Sequence, residues 1–555
     1  MMQGDLLTTL EGHVSQHPDN TFCFFLKDGT SENIGFARLW ARSSAYANLL
    51  RTSGLHRGQV LLIALKHCPD LYYAFLGALL CGSIPSFMPF PSPKQDPVRY
   101  WQSHNELFAR IGAGGILTYK ENAAILAENL KGRPLLVLTP DASNDQPQAF
   151  SPVRVHCDDV AFLQHSSGTT GLKKGVQLSY SAVSNQLESY RRTLSLDSSD
   201  RIATWLPLYH DMGLIACFVL PLYLGIPIAS MDAFEWVARP EILFDALDSY
   251  RCTYTWLPNF AFQHLCNTLD PLRNWDLGHV KAFIDCSEPC KVETLDLFSK
   301  TFHSSGITRQ QLQACYAMAE TVFAVTQTPI GQNVPSLRVD RDVLQSKGLA
   351  VPSTPDGPGL ELLSVGPPLP GIEVRVASSR GKFLEEGNVG ELAVSGQFLF
   401  SGYFRNPQAS AAALYDGWYY TEDRGFLYKG NVYILGRIKE MVILYGQNYY
   451  AHDIEFTCNQ VAGVKPGRCV AFGLYNPQVG SEELIVIAET ELEEPCWTDL
   501  AKRIKRALAT DLNITPKDIT IVSPGWLLKS TAGKINRGDN TTKYLAGRAA
   551  AIGHS

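Results

Sequence analysis

The sequence predicts a multidomain α/β protein, and three observations carry that expectation. Over the first 150 residues, short apolar runs alternate with amphipathic helical patterns, as parallel strands covered by helices require. After Gly371 the pattern changes to glycine-punctuated alternation, "IEVRVA", "GELAVSG" and "GFLYKGNVYILG", which predicts a small barrel or antiparallel sheet. From "MVILYG" onward the chain reads as a compact α+β unit, with strands "CVAFGLY", "ELIVIAE" and "DITIVS" around a helix "LAKRIKRALA".

In order along the chain, "FARLWARSSAYANLL" from Phe36 predicts a helix and "QVLLIAL" from Gln59 a buried strand. "DLYYAFLGALLCG" predicts a helix ending at Gly82, followed by strands in "IPSFMPF" and "GGILTY". Leu214 to Met231 holds no charge over 18 residues, but Pro221, Gly225 and Pro227 interrupt it. A helix followed by a buried strand is expected there, with no membrane span. Composition shifts between Thr328 and Gly371, where Val351–Gly371 alone holds six prolines. This stretch predicts a loop-rich connection, with a short helix around Asp340–Lys347. A division near residue 437 separates residues 1–436 from 437–555. The polar tail after Arg537 is expected to fray.

Composition narrows the function classes. At 555 residues the chain is long enough for three or four structural units. Its 48 Lys+Arg against 54 Asp+Glu leave a net charge of −6, so no nucleic-acid partner is expected. Apolar residues are 45% and charged residues 18%, which excludes disorder over most of the chain. The 13 cysteines are odd in number and form no CxxC pair. Neither a disulfide framework nor a structural zinc site is expected. No basic start with an apolar run opens the chain, and a cytoplasmic location is expected.

The most informative segment is "AFLQHSSGTTGLKKGV" (Ala161–Val176). An apolar strand runs into consecutive Ser, Thr and Gly residues, whose backbone N–H groups and hydroxyls can cradle anionic oxygens, and a lysine adds charge. It does not match GxxxxGK[ST]. "SSGTTGLKKGV" resembles the phosphate loop of the adenylate-forming enzymes, the superfamily of acyl-CoA synthetases, luciferases and peptide-synthetase adenylation domains. Lys173 stands where the usual form has Pro, and Lys174 matches the usual lysine. Further segments resemble the family in order: "WLPLYHDMGLI", "WLPNFAFQHLCN", "DCSEP", "YAMAET", "GELAVSG…SGYF", "GWYYTEDRGF", "GRIKEM" and "STAGKINR". The first three are most similar to the fatty acyl-AMP ligases. Departures fall at Cys286 and Ser287, and at Glu422, Leu528 and Ala532.

The resemblance implies a large N-terminal domain of two helix-covered mixed sheets plus a small β-barrel-like subdomain, followed by a small mobile α+β C-terminal domain. The implied reaction is attack of a carboxylate on the α-phosphate of ATP, giving an acyl-adenylate and pyrophosphate. Catalysis would be positioning and charge stabilisation. ATP contacts are implied for Ser166, Ser167, Gly168, Thr169, Thr170, Gly171 and Lys174, for Ser287, Glu288 and Pro289, and for Tyr316, Ala317, Asp423 and Arg437. Tyr316 would stack on adenine and Asp423 would accept the ribose hydroxyls. Glu320 is the implied Mg²⁺ ligand, Lys534 the catalytic lysine that bridges carboxylate and phosphate, and Lys439 the hinge. The acyl pocket would lie near Trp205, Tyr209, His210, Met231, Trp256, Asn259 and Phe260. Whether these rings line a fatty-acyl tunnel or shorten it to an aryl-acid pocket stays open. "VDRDVLQSKGLAVP" looks like the insertion of the fatty acyl-AMP ligases, within about residues 328–365. It implies transfer to an acyl carrier protein, expected as a separate chain because no serine sits in a GxDSL setting near the C-terminus. The alternatives are an acyl- or aryl-CoA ligase, an amino-acid adenylating enzyme, or a nucleotide-binding protein with a dead site.

Overall fold

The structure is a computed structural model that describes residues 6–91, 97–129, 135–142, 150–165, 174–354, 359–444, 447–476, 478, 481–529 and 535–552. Its largest sheet has eight strands. From one edge they are Ala324–Gln327, Leu312–Ala317, Ala282–Cys286, Tyr254–Leu257, Ile202–Thr204, Ile228–Ser230, Thr21–Lys27 and Thr30–Gly35. The central pairings are parallel and both edge pairings antiparallel. Strands such as Tyr254–Leu257 and Ala282–Cys286 are buried at every position, because helices cover both faces.

A second sheet has four parallel strands, in the order Ile84–Phe87, Val60–Ala64, Gly115–Thr118 and Leu136–Leu138. Pro85 has no N–H to give and sits on the edge strand, where none is needed. The helix Asp70–Cys81 ends at Gly82, whose φ of 78° closes the turn. The uncharged stretch is a fully buried wide π-helical segment, Met212–Val219, then the helix Leu220–Leu224 and the strand Ile228–Ser230. No helix among the described residues is long and apolar enough to cross a membrane.

The third sheet is antiparallel, built from Ile372–Ser379, Lys382–Leu384, Gly390–Gly396, Leu414–Tyr415, Trp418–Tyr428 and Asn431–Arg437. Before it, an antiparallel hairpin pairs Ser336–Asp340 with Gly359–Leu363. Between these strands lies the helix Arg341–Lys347, capped by the Asp340 carboxylate, which accepts the Val343 N–H at 2.9 Å.

The C-terminal unit packs the helices Ala451–Asn459 and Trp497–Leu512 on a three-stranded sheet of Cys469–Asn476, Ser481–Glu489 and Asp518–Val522. Leu500, Ile504 and Leu508, spaced by four, form the buried stripe of the longer helix. The expectation of a frayed tail is overturned, since Arg537–Ile552 is a helix. Two of its residues, Asn540 and Tyr544, are buried with partners in the C-terminal unit. Asn540 is fully buried, with its amide donating to the Leu528 carbonyl (2.8 Å) and accepting the Leu528 N–H (2.8 Å). Tyr544 packs edge-on to Phe472 and bonds Asp518.

Candidate active site

Most of the sequence-selected residues of the large sheet occupy one kind of position. Trp205 follows the strand Ile202–Thr204, Met231 follows Ile228–Ser230, Asn259 comes just after Tyr254–Leu257, and Ser287 follows Ala282–Cys286. Tyr316 and Ala317 end the strand Leu312–Ala317. These are the carboxyl ends of parallel strands, the side of an open α/β sheet where ligands bind.

Two carboxylates stand out at this end. Glu320 is 6% exposed and accepts the Tyr403 hydroxyl at 2.8 Å. Burial pushes its pKa up, and the Tyr403 hydroxyl pulls it part of the way back. Lys174 places its ammonium 4.6 Å from the centre of the Tyr403 ring, so the cation at the end of the phosphate-loop segment lies beside the partner of Glu320. Asp423 is 7% exposed and accepts the Tyr316 hydroxyl at 2.6 Å, with the Arg437 guanidinium at 3.3 Å. Arg437 and Asp423 are direct cross-strand partners. Burial raises the Asp423 pKa, while Arg437 and Tyr316 oppose the rise.

Backbone strain marks the same ground. Ser287 (φ 73°), Val322 (φ 65°) and Glu422 (φ 61°) are non-glycine residues in left-handed backbone, each costing on the order of 1–3 kcal/mol. The Val322 carbonyl, turned by this geometry, accepts the Gln164 side-chain amide at 2.9 Å. That bond ties the strand entering the phosphate loop to the turn that carries Glu320. Glu422 stands where the resembling family has glycine, which the φ explains. Its N–H is held by Glu391 at 2.9 Å and its carboxylate pairs with Lys439 at 2.8 Å. Gly213 is required by packing, because a Cβ there would lie 2.3 Å from the Pro207 carbonyl oxygen.

Ser166, Ser167, Gly168, Thr169, Thr170, Gly171 and Lys534 lie outside the described residues. The flanks of the Lys534 segment are well anchored. Lys529 bridges Ile535, and the Asn536 N–H bonds the Leu528 carbonyl at 3.0 Å. Arg537 makes a two-pronged contact with Glu455 (2.8 and 3.0 Å) and reaches Glu440 at 2.9 Å. Burial works against the charge on Glu440, but Arg537 and Arg437 outweigh it and hold its pKa low. Lys291 joins the body to Asp453 of the C-terminal unit at 2.6 Å.

Ser287 lies near Met212, with its hydroxyl 4.0 Å from the Met212 sulfur. Glu288 accepts the Phe260 N–H at 2.9 Å, which ties the loop after Cys286 to the start of the helix Asn259–Thr268. Pro289 is exposed. Tyr209 and His210 meet edge to face, and burial pushes the Tyr209 phenol up to about 12. Trp205 stacks flat on Trp236, with ring centres 3.8 Å apart and planes 4° apart; such pairs contribute about 0.5–1.5 kcal/mol beyond area burial. Trp256 is fully buried and donates its indole N–H to Tyr190 at 2.9 Å, so it belongs to the packing of the sheet. Sequence reasoning missed Tyr403 and Trp236. Tyr403 lies within "SGYF", a recognised segment, so its position was available; Trp236 lies in no recognised segment.

Residues 10–404 match the family model of AMP-binding enzymes, and the chain belongs to that family. It is an ATP-dependent acid-activating ligase of the adenylate-forming superfamily, similar to the fatty acyl-AMP ligases. The long-chain-fatty-acid–AMP ligase FadD32 of Mycolicibacterium smegmatis is 28% identical, with 94% of this chain and 90% of the relative covered. The medium-chain-fatty-acid–[acyl-carrier-protein] ligase JamA of Moorena producens is 26% identical, with 94% and 92% covered. Among solved structures, one from a study of fatty acyl-adenylate ligases from E. coli and L. pneumophila superposes with a TM-score of 0.89 at 23% identity, over 99% of this chain and 98% of the other.

Proposed function

We propose that the protein converts a fatty-type carboxylic acid and ATP to an acyl-adenylate and pyrophosphate, then passes the acyl group to the phosphopantetheine thiol of an acyl carrier protein as a thioester, with release of AMP. The observation that carries the first half is the convergence of Glu320, Tyr403 and Lys174 with Tyr316, Asp423 and Arg437 beside the carboxyl end of the strand Leu312–Ala317. The residues fit a nucleotide. Asp423 accepts hydroxyl hydrogens, as its bond from Tyr316 illustrates, and it would take the ribose hydroxyls in the same way. Lys174 would face the phosphates.

Glu320 also fits Mg²⁺, since it is a buried oxygen donor with a raised proton affinity, and bound cation would replace that proton. No cluster of three or more His, Cys, Asp or Glu that could hold a metal occurs among the described residues, so phosphate oxygens would complete the shell. Mg²⁺ supplies charge neutralisation of the phosphates there.

The carboxylate oxygen forms a bond to the α-phosphorus as the bond to pyrophosphate breaks. Lys534 would hold the two anions together and offset the developing charge. The names of the curated relatives support a fatty acid and a carrier-protein acceptor. ATP–pyrophosphate exchange across a panel of acids tests activation, and acyl transfer to holo-carrier against coenzyme A tests the acceptor. Faster transfer to coenzyme A would overturn the second half and leave the first standing.

A further inference from the structure

We propose that Tyr403 is a positioning residue for ATP: one phenol holds Glu320 through its hydroxyl and Lys174 over its ring face, and so keeps these opposite charges from pairing with each other. The inference rests on the acid-activation reading above and adds a residue to the same site.

Both contacts belong to a single side chain. The Tyr403 hydroxyl donates to Glu320 at 2.8 Å, and the Lys174 ammonium stands 4.6 Å from the ring centre. A cation over an aromatic face is attracted by the ring quadrupole, while the phenol O–H is an ordinary hydrogen-bond donor. Each charge therefore meets a neutral partner on a different part of the phenol. Lys174 forms no ion pair with a carboxylate among the described residues, although Glu320 lies at the other end of the same side chain. An ammonium and a buried carboxylate that met directly would satisfy each other. Neither would then be available to a phosphate or to a cation.

The phenol is fixed by the segments it serves. Tyr403 forms a bridge with Val176, flanked by bonds from the Phe404 N–H to the Gly175 carbonyl (2.7 Å) and from the Gln177 N–H to the Gly402 carbonyl (3.1 Å). These bonds tie its backbone to the strand Gly175–Ser179, which begins one residue after Lys174. Toward Glu320, the Phe400 N–H bonds the Glu320 carbonyl at 2.8 Å. The Ser410 hydroxyl accepts the Tyr403 N–H at 2.8 Å, and the Phe400 ring meets the Tyr403 ring edge-on with centres 5.0 Å apart. The spacing of the two charges is thus set by backbone pairing on both sides of one buried ring.

The experiment compares the wild type with Tyr403→Phe, which keeps the ring and loses the hydroxyl, and with Tyr403→Leu, which loses both. Calorimetry reads ATP binding without divalent cation. Electron paramagnetic resonance reads the binding of Mn²⁺, used in place of Mg²⁺, to the complex with α,β-methylene ATP. Tyr403→Phe is expected to weaken Mn²⁺ binding by about tenfold, the scale of one hydrogen bond to a charged group, and to leave cation-free ATP affinity unchanged. Tyr403→Leu should weaken Mn²⁺ binding further and lower cation-free ATP affinity by about threefold or more, since Lys174 loses its aromatic partner and is free to pair with Glu320. A merely structural role would lower both affinities together in both variants, in step with the thermal unfolding midpoint, and would overturn the inference. Mn²⁺ binding by Tyr403→Phe equal to that of the wild type would overturn it too, with acid activation left intact. A wild type that binds no ATP would overturn both.

Discussion

Two groups of carboxylates, one in the large body and one at its junction with the C-terminal unit, are handled differently. In the body, Glu320 and Asp423 are buried and their pKa values are raised by burial. At the junction, Glu440 and Asp453 are opposed by burial too, yet arginine and lysine partners hold their pKa values low. Glu440 and Asp453 act as struts, since each finds its cation within the protein. Glu320 takes only a neutral phenol in the contacts described above, and Asp423 takes a phenol and one more distant guanidinium. Glu320, buried at an electrostatic cost beside a neutral phenol, is the carboxylate of the four best placed to take a cation from outside, whereas Asp423 already shares the Arg437 guanidinium.

The largest effect is expected at Lys534, the proposed catalytic lysine. Lys534→Ala is expected to lower acid-dependent exchange by about 10²–10³-fold with an unchanged thermal unfolding midpoint. A full rate in that variant would remove the C-terminal unit from the chemistry.

Glu320→Gln comes next, with exchange falling by about a hundredfold or more and Mg²⁺ dependence lost. Its stability moves the other way. A carboxyl whose folded pKa is raised binds its proton more tightly when folded, so stability falls as pH rises through the ordinary carboxylate range toward the raised value. The Gln variant escapes that loss, so its Tm should exceed the wild-type Tm at alkaline pH, and the gap should close in acid. For the same reason wild-type activity should fall, as pH is lowered, above the ordinary Glu range. Calorimetry of both proteins across pH reads the first, and rate profiles the second.

Asp423→Asn keeps the shape but loses the charge, and should raise KM for ATP by about tenfold, as expected when a hydrogen bond worth about 1.5–3 kcal/mol to a charged group is weakened. An unchanged KM would place the ribose elsewhere. The smallest effect is expected from Asp453→Asn, which loosens the Lys291 contact by about 1 kcal/mol. Asp453 has a lowered folded pKa, so its contribution is present above the ordinary Asp value and is lost as pH falls through the folded value. Hydrogen exchange around the helix Ala451–Asn459 should quicken in the variant at neutral pH and match the wild type in acid. Equal exchange at neutral pH would mean that the strut bears no load.

Much of this was legible along the chain because it is written in local patterns. The strand–helix alternation, the helix stop at Gly82 and the short helix at Arg341–Lys347 follow from periodicity and capping, which act within a few residues. Trp205, Asn259 and Ser287, selected from motifs, fall just after strand ends. The tail was misjudged because its polar residues satisfy one another and the Leu528 backbone, through contacts that composition does not record. Trp236 was missed because an indole on a six-residue helix has no local signature; what marks it is the ring of Trp205, 31 positions earlier in the chain.

The order of apolar runs, caps and glycine turns was enough to dictate the kind of sheets, since these depend on neighbours a few positions apart, while the acid-activating class was legible in ordered motifs that resemble a known family. Folding in three dimensions was needed to give Glu320 a neutral phenol and to give Glu440 and Asp453 their cations, and to set two tryptophans face to face. Both outcomes depend on burial and on distances between remote segments, which a linear order of residues does not contain.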